Sequence, residues 1–220
     1  MQKASRLRRF ISAPEFGPLV LLILELAVFY ALNPNFLSVL NIGNTLTFTV
    51  ELGLIALAMT LLMTAGEFDL SVGSLFGFAP VAMWTLYNAG WTSLGVAFFI
   101  SLFVAALIGL VNGLMVTRLK IPSFLVTLGM LLVVRGAALF VTDGFPQRTW
   151  SASGQWIADL LVGDFYIGSL RVYASLFWFV AAAVILGYVL TQSKYGNWIQ
   201  ATGLPPVAWI QLPYLDFVRT

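Results

Sequence analysis

The chain has 220 residues, 60% of them apolar and 9% charged, with 11 basic and 9 acidic side chains for a net charge of +2. A soluble domain carries about 25% charged residues, so this composition describes a polytopic membrane protein. It excludes a soluble enzyme, a nucleic-acid module and a disordered chain, and the absence of Cys and His removes disulfides, thiol catalysis and Ser-His-Asp triads.

A bilayer core of about 30 Å needs roughly 20 apolar helical residues. Six stretches approach that length: Pro18–Leu37, Asn44–Ala65, Leu70–Ala89, Trp91–Val116, Ile121–Thr142 and Val172–Thr191. The expected fold is therefore all-α, a polytopic transmembrane helical bundle of about six spans. Lys3, Arg6, Arg8 and Arg9 precede the first span, Arg118 and Lys120 join the fourth to the fifth, and Lys194 follows the sixth. Six alternating spans put all of these on one side, and the positive-inside rule makes it the cytoplasm. Both termini are expected there. Arg148 and Arg171 fall on the opposite side. Glu25 interrupts the first apolar run and no A-x-A site follows it, which argues against a cleaved signal peptide. The segment Asp143–Arg171 reads as a solvated outer connector carrying Trp150 and Trp156, with Ile157–Val162 able to form a short interfacial helix.

The most specific local feature is Gly66-Glu67-Phe68-Asp69-Leu70-Ser71-Val72-Gly73-Ser74, where the second span should give way to the third. Asp69 is a candidate N-cap, and Ser71 and Ser74 can satisfy nearby backbone groups. A helix start inside a membrane offers unpaired N–H groups and a positive dipole end, as in the broken helices of transporters. A capped cytoplasmic turn fits these residues equally well.

Charges within spans come next, since each costs several kcal/mol at mid-bilayer unless paired or hydrated. Glu51 and Arg135 lie at matched depths on antiparallel spans, roughly 10 Å below the outer surface. Equal depth suggests an intramembrane pair, direct or through a polar neighbour, against the alternative that Arg135 snorkels outward. Glu25 has no depth-matched partner. Ala105, Gly109 and Gly113 form a small-residue stripe beside Asn112, a packing signal in which the amide can hydrogen-bond across the contact. Pro122 suits the start of the fifth span. The chain has no G-x-x-x-x-G-K-[ST] loop, so nucleotide energy has to come from another subunit.

The run Glu67-Phe68-Asp69-Leu70-Ser71-Val72-Gly73-Ser74 resembles a segment of the ABC-importer permeases for ribose, xylose, arabinose and similar monosaccharides. Val111-Asn112-Gly113-Leu114, Leu119-Lys120-Ile121-Pro122-Ser123-Phe124-Leu125-Val126-Thr127-Leu128-Gly129 and Arg135-Gly136 are similar to later segments in the same order. Ser193-Lys194-Tyr195-Gly196, followed by Ala201-Thr202-Gly203, fits the loop after the sixth span. The resemblance runs from about Phe36 to Gly203 and implies an inner-membrane permease, multi-pass and paired with a second permease copy, homo- or heterodimeric. A periplasmic or extracellular sugar-binding protein would deliver the substrate, and a cytoplasmic ABC ATPase would bind ATP, leaving this chain without a cofactor, a metal or an enzymatic activity of its own. It names no sugar and no nucleic-acid partner.

On this resemblance Glu67, Asp69, Ser71 and Ser74 organise a break bordering the pathway, and Asn112 and Gly113 hold the fourth-span contact. No residue is assigned to direct sugar binding: Trp84, Tyr87 and Phe78 are aromatic faces of the kind a sugar uses, but such residues are unremarkable in a bilayer. Beyond Gly203 the expected coupling segment is replaced by Leu204-Pro205-Pro206-Val207-Ala208-Trp209-Ile210-Gln211-Leu212-Pro213. Interior prolines cost about 3 kcal/mol in a helix. The reading is thus a permease domain over 1–203 and a divergent Pro-rich tail over 204–220, the mark of a truncated or frame-shifted product. The alternatives are a transport-incompetent membrane fragment and an ATPase-independent secondary transporter using Glu25 and Glu51.

Overall fold

The computed structural model describes residues 12–13, 16–146, 156–168 and 170–203. Lys3, Arg6, Arg8, Arg9, Arg148, Trp150 and the segment 204–220 lie outside the described residues. The helices are α1 (Phe16–Leu32), α2 (Val39–Thr64), α3 (Val72–Asn88), α4 (Leu94–Leu119), α5 (Ser123–Thr142), α6 (Trp156–Val162), α7 (Ser175–Gln192) and α8 (Lys194–Thr202). A 3-10 turn at Pro34–Leu37 follows α1, and a two-stranded hairpin, β1 (Asp164–Ile167) with β2 (Leu170–Tyr173), follows α6. Among the described residues the architecture is all-α apart from that hairpin.

Among the described residues four helices, α2, α4, α5 and α7, are long and apolar enough to cross a membrane by length and composition. The first and third expected spans, α1 and α3, each have 17 residues. The first ends earlier than its apolar run because of Pro34, which pushes the preceding residue out of the α region. Asn33 is accordingly extended, with φ −145° and ψ 104°, and its side chain accepts from the Asn35 N–H. The second starts earlier than expected because its polar residues are satisfied locally. Ser38 Oγ accepts from the Asn41 N–H at 3.4 Å, and Asn41 Nδ2 donates to the Phe36 carbonyl at 2.6 Å.

The chain divides into two compact units, one formed by residues up to Phe48 with Tyr166–Val172, the other by Thr49–Phe165 with Tyr173 onward. In the first, α1 has no buried residue, and Phe29 stacks on Phe36 with ring centroids 5.3 Å apart. In the second, α3 packs against both α4 and α5, which also touch each other. The helix α6 rests on α4 and α7, and α8 packs on α7. Ser193 caps α8 by accepting from the Gly196 N–H at 3.1 Å, and Gln200 Nε2 donates to the Leu190 carbonyl at 2.9 Å. The end of α8 meets the end of α2, where a Cβ on Gly203 would collide with the Thr64 carbonyl oxygen. Gly66, just past α2, has φ +82°, a left-handed conformation that favours glycine.

The outer connector departs from its expected solvated character. Ile157 is buried, Trp156 sits where a side chain on Gly95 would be, and Trp178 Nε1 donates to the Leu160 carbonyl at 3.0 Å. Ile157 finds cover where α6 rests on α4, which removes it from solvent, whereas Trp156, Leu160 and Val162 stay exposed. Val172 belongs to β2 and not to the sixth span. Two aromatic and β-branched runs flank Gly168-Ser169, a hairpin signal legible in the sequence.

Candidate functional site: the break before α3

The break between α2 and α3 is built from polar side chains that the sequence had marked separately. Asp69 Oδ1 accepts from the Ser71 N–H at 2.7 Å and from the Ser71 hydroxyl at 2.5 Å. Ser71 Oγ in turn accepts from Asn112 Nδ2 of α4 at 3.0 Å. Ser71 has no exposed surface and Asn112 is 5% exposed. The Phe68 N–H donates to Ser123 Oγ, the first residue of α5, at 3.3 Å. Ser74 Oγ donates to the Leu131 carbonyl further along α5 at 2.9 Å.

These contacts fix the depth of the break. Asn112 lies seven residues before Leu119, the end of α4, which is about 10 Å at 1.5 Å per residue. Leu131 lies eight residues into α5, about 12 Å from its start. The stretch 68–74 therefore climbs alongside α4 and α5, and α3 begins level with their interior turns. Buried backbone and hydroxyl groups have no water there, so each requires a protein partner. The chain Asn112 to Ser71 to Asp69 supplies three such partnerships.

Capping differs in detail from the expectation. Ser71, not Asp69, occupies the N-cap position of α3, with φ −72° and no side-chain cap bond. Asp69 acts two residues earlier, its carboxylate closing a turn on the Ser71 N–H. Glu67 is half-buried, and its N–H donates to the Leu62 carbonyl at 3.2 Å.

Ser74 and Arg135 line one groove between α3 and α5, about 570 Å³ in volume, with Gly73, Gly77, Leu131 and Thr142. The remaining candidates are placed elsewhere. Glu51 and Glu25 are exposed on α2 and α1, and α2 is not among the helices that pack extensively on α5. Gly109 and Gly113 are exposed, and a Cβ on either would meet nothing within 4 Å. Ala105 is half-buried. Of that small-residue stripe and its neighbour, Asn112 makes the contact just described. Trp84 meets Tyr87 edge-on at 5.9 Å and borders a separate apolar cavity of about 360 Å³ with Phe98 and Ile157. Phe78 is half-buried on α3. Sequence reasoning missed Ser123 as a partner of the break. Its signal was a hydroxyl directly after Pro122 at the start of a span.

Residues 41–209 match the family described as branched-chain amino acid transport system / permease component. The chain belongs to this permease family. It is 31% identical over 206 residues to the xylose/arabinose import permease protein XylH of Sulfolobus acidocaldarius, covering 90% of this chain and 54% of that protein. To the ribose import permease protein RbsC of Escherichia coli K12 it is 31% identical over 186 residues, 84% of this chain and 56% of that one. The fructose import permease protein FrcC of Rhizobium meliloti is 29% identical over 207 residues, covering 92% of this chain and 57% of FrcC. The chain thus spans about half the length of the curated relatives it matches. No solved structure matches it. Its family membership and its apolar helices make it a multi-pass membrane protein.

Proposed function

We propose that this chain is the membrane-spanning part of an ATP-binding cassette importer that moves a monosaccharide or similar polar metabolite across the inner membrane. It pairs with a second permease copy, receives substrate from an external sugar-binding protein and is driven by a cytoplasmic ATPase. The observation that carries this reading is the break at Asp69-Leu70-Ser71, whose buried Ser71 is joined to Asn112, within a chain similar to named sugar import permeases. Discontinuous helices near the bilayer midplane are where transporters place their pathways. A polar junction lets α3 start there with the Ser71 N–H and hydroxyl and one Asn112 N–H paired, while Asn112 Oδ1 is buried without a partner among the described residues. Both termini lie in the cytoplasm, and residues 1–203 form the permease domain.

Reconstitution tests it. Liposomes holding the chain with its ATPase and binding protein should take up labelled ribose, xylose or arabinose only when ATP is supplied. Uptake by the chain alone on an ion gradient would instead make it a secondary transporter. Co-purification with a full-length permease but no ATPase binding would make it a non-transporting fragment. Asp69→Asn should fold and lose uptake; folding with normal uptake removes the break from the pathway.

Glu51 and Arg135 form an intramembrane pair in this reading, supported by their matched depth on antiparallel spans. Glu51→Gln and Arg135→Gln should then couple by about 0.5–3 kcal/mol in a double-mutant cycle on stability, while additive effects would separate them.

A further inference from the structure

The groove between α3 and α5 has properties that helix packing does not account for. A Cβ on Gly73 or Gly77 would meet nothing within 4 Å, so these glycines do not serve a close helix approach. They leave bare backbone and open volume on one wall. Arg135 lines the facing wall, seven residues before Thr142 and so about 10 Å below the outer end of α5. A guanidinium at that depth costs several kcal/mol in hydrocarbon, and intramembrane charges accordingly face water-filled cavities or partners. The groove continues to Phe145 past the end of α5, and Phe145 is 74% exposed there.

We propose that this groove is a water-filled binding site for a neutral polyol, with Arg135 as the hydroxyl-binding cation. The inference rests on the import reading and names the site at which that substrate is held. A guanidinium presents five N–H donors in a planar fork and no acceptor. Those donors can serve several sugar hydroxyls at once. Leu131 and Leu139 offer apolar surface to the C–H faces of the ring, and Phe145 offers an aromatic face at the mouth. A volume of about 570 Å³ falls in the range of small-molecule sites, about 300–1,000 Å³. Ser74 closes the inner end, its proton committed to the Leu131 carbonyl and its oxygen free to accept from a hydroxyl.

The absence of native cysteine makes single-cysteine labelling a direct test. In membranes containing the chain, Gly77→Cys and Ala138→Cys line the groove. Val133→Cys and Phe140→Cys lie outside it on exposed surface of α5. A charged, membrane-impermeant thiol reagent added from the outer side should label the groove pair about tenfold faster, since apolar surroundings raise a thiol's pKa and one unit removes nine-tenths of the thiolate. Ribose, xylose or arabinose at millimolar concentration should slow that labelling several-fold. Arg135→Gln should keep the labelling and abolish the protection.

Equal labelling of groove and control positions overturns the water-filled groove. Labelling that no sugar slows overturns the polyol site, and protection by leucine or valine in place of sugars reassigns it to an amino acid. Two groove positions guard against one variant failing to fold. Neither labelling nor protection depends on transport, so a failure of uptake in the reconstituted system is distinguished from a failure of the site.

Discussion

The α3–α5 bundle and α7 are helices of similar apolar composition held in opposite ways. In the bundle the buried set includes Ser71, Ser101, Asn112, Ser123 and Thr127 beside Ala97, Val126 and Val134. The helix α7 buries no residue at all. Its large side chains, among them Phe177, Val184, Ile185 and Tyr188, are exposed. It is held through the Phe165–Phe177 stack at 5.3 Å and the Trp178 bond to Leu160. Lipid tails are as apolar as Leu, so burying Leu between spans gives little net gain. Specific association in the bundle comes from hydroxyl and amide groups that have no water to bond. Position is fixed where polar groups meet, and left loose where only hydrocarbon faces hydrocarbon.

Removing one polar partner should separate the two regions most sharply. Asp69→Ala leaves the buried Ser71 N–H without its acceptor and should cost about 2–3 kcal/mol in thermal unfolding in detergent. Thr191→Val on α7 deletes a hydroxyl that bonds only its own helix, to the Gly187 carbonyl, and should change stability by less than about 0.5 kcal/mol. Equal effects would mean the junction is not what organises the bundle.

Two glycines test how rigidly neighbouring elements hold their contacts. Gly203→Ala drives a methyl into the Thr64 backbone carbonyl, an obstacle that cannot rotate away, and should destabilise by about 1–3 kcal/mol. At Gly53 the nearest obstacle is the Phe179 ring of α7, 2.6 Å from the added Cβ. That ring can swing, so Gly53→Ala should cost less than about 1 kcal/mol. A larger loss at Gly53 would show α7 to be as firmly seated as the bundle.

The smallest effect concerns a hydroxyl inside α3. Thr85 Oγ1 is buried with no protein partner. Thr85→Val keeps the shape and removes the unpaired group, so stability should rise by up to about 1 kcal/mol. A fall would reveal a partner for this hydroxyl in the membrane-embedded protein.

Hydropathy placed the long apolar helices, because a span must satisfy its backbone internally and carry about 20 apolar residues; it did not place α8, a stretch that fits a loop by sequence. The boundary errors fall where local chemistry intervened, at Asn33-Pro34, at Ser38 and Asn41, and at the Gly168 turn. The Glu67–Ser74 segment and Asn112 were legible as separate features through their polarity in an apolar setting. Their connection was not legible, because Ser71 and Asn112 are 41 positions apart and hydrogen bonds across helices leave no periodicity in a sequence. Composition and spacing thus determined the membrane class, the spans and which residues were out of place in hydrocarbon. The tertiary structure decided which of these meet: that Asp69, Ser71 and Asn112 form one chain, that Ser123 joins the break, and that Ser74 and Arg135 share a groove. The physical reason is that spans are specified locally by hydrophobicity, whereas partners in a bilayer are chosen by complementarity between groups far apart in the chain.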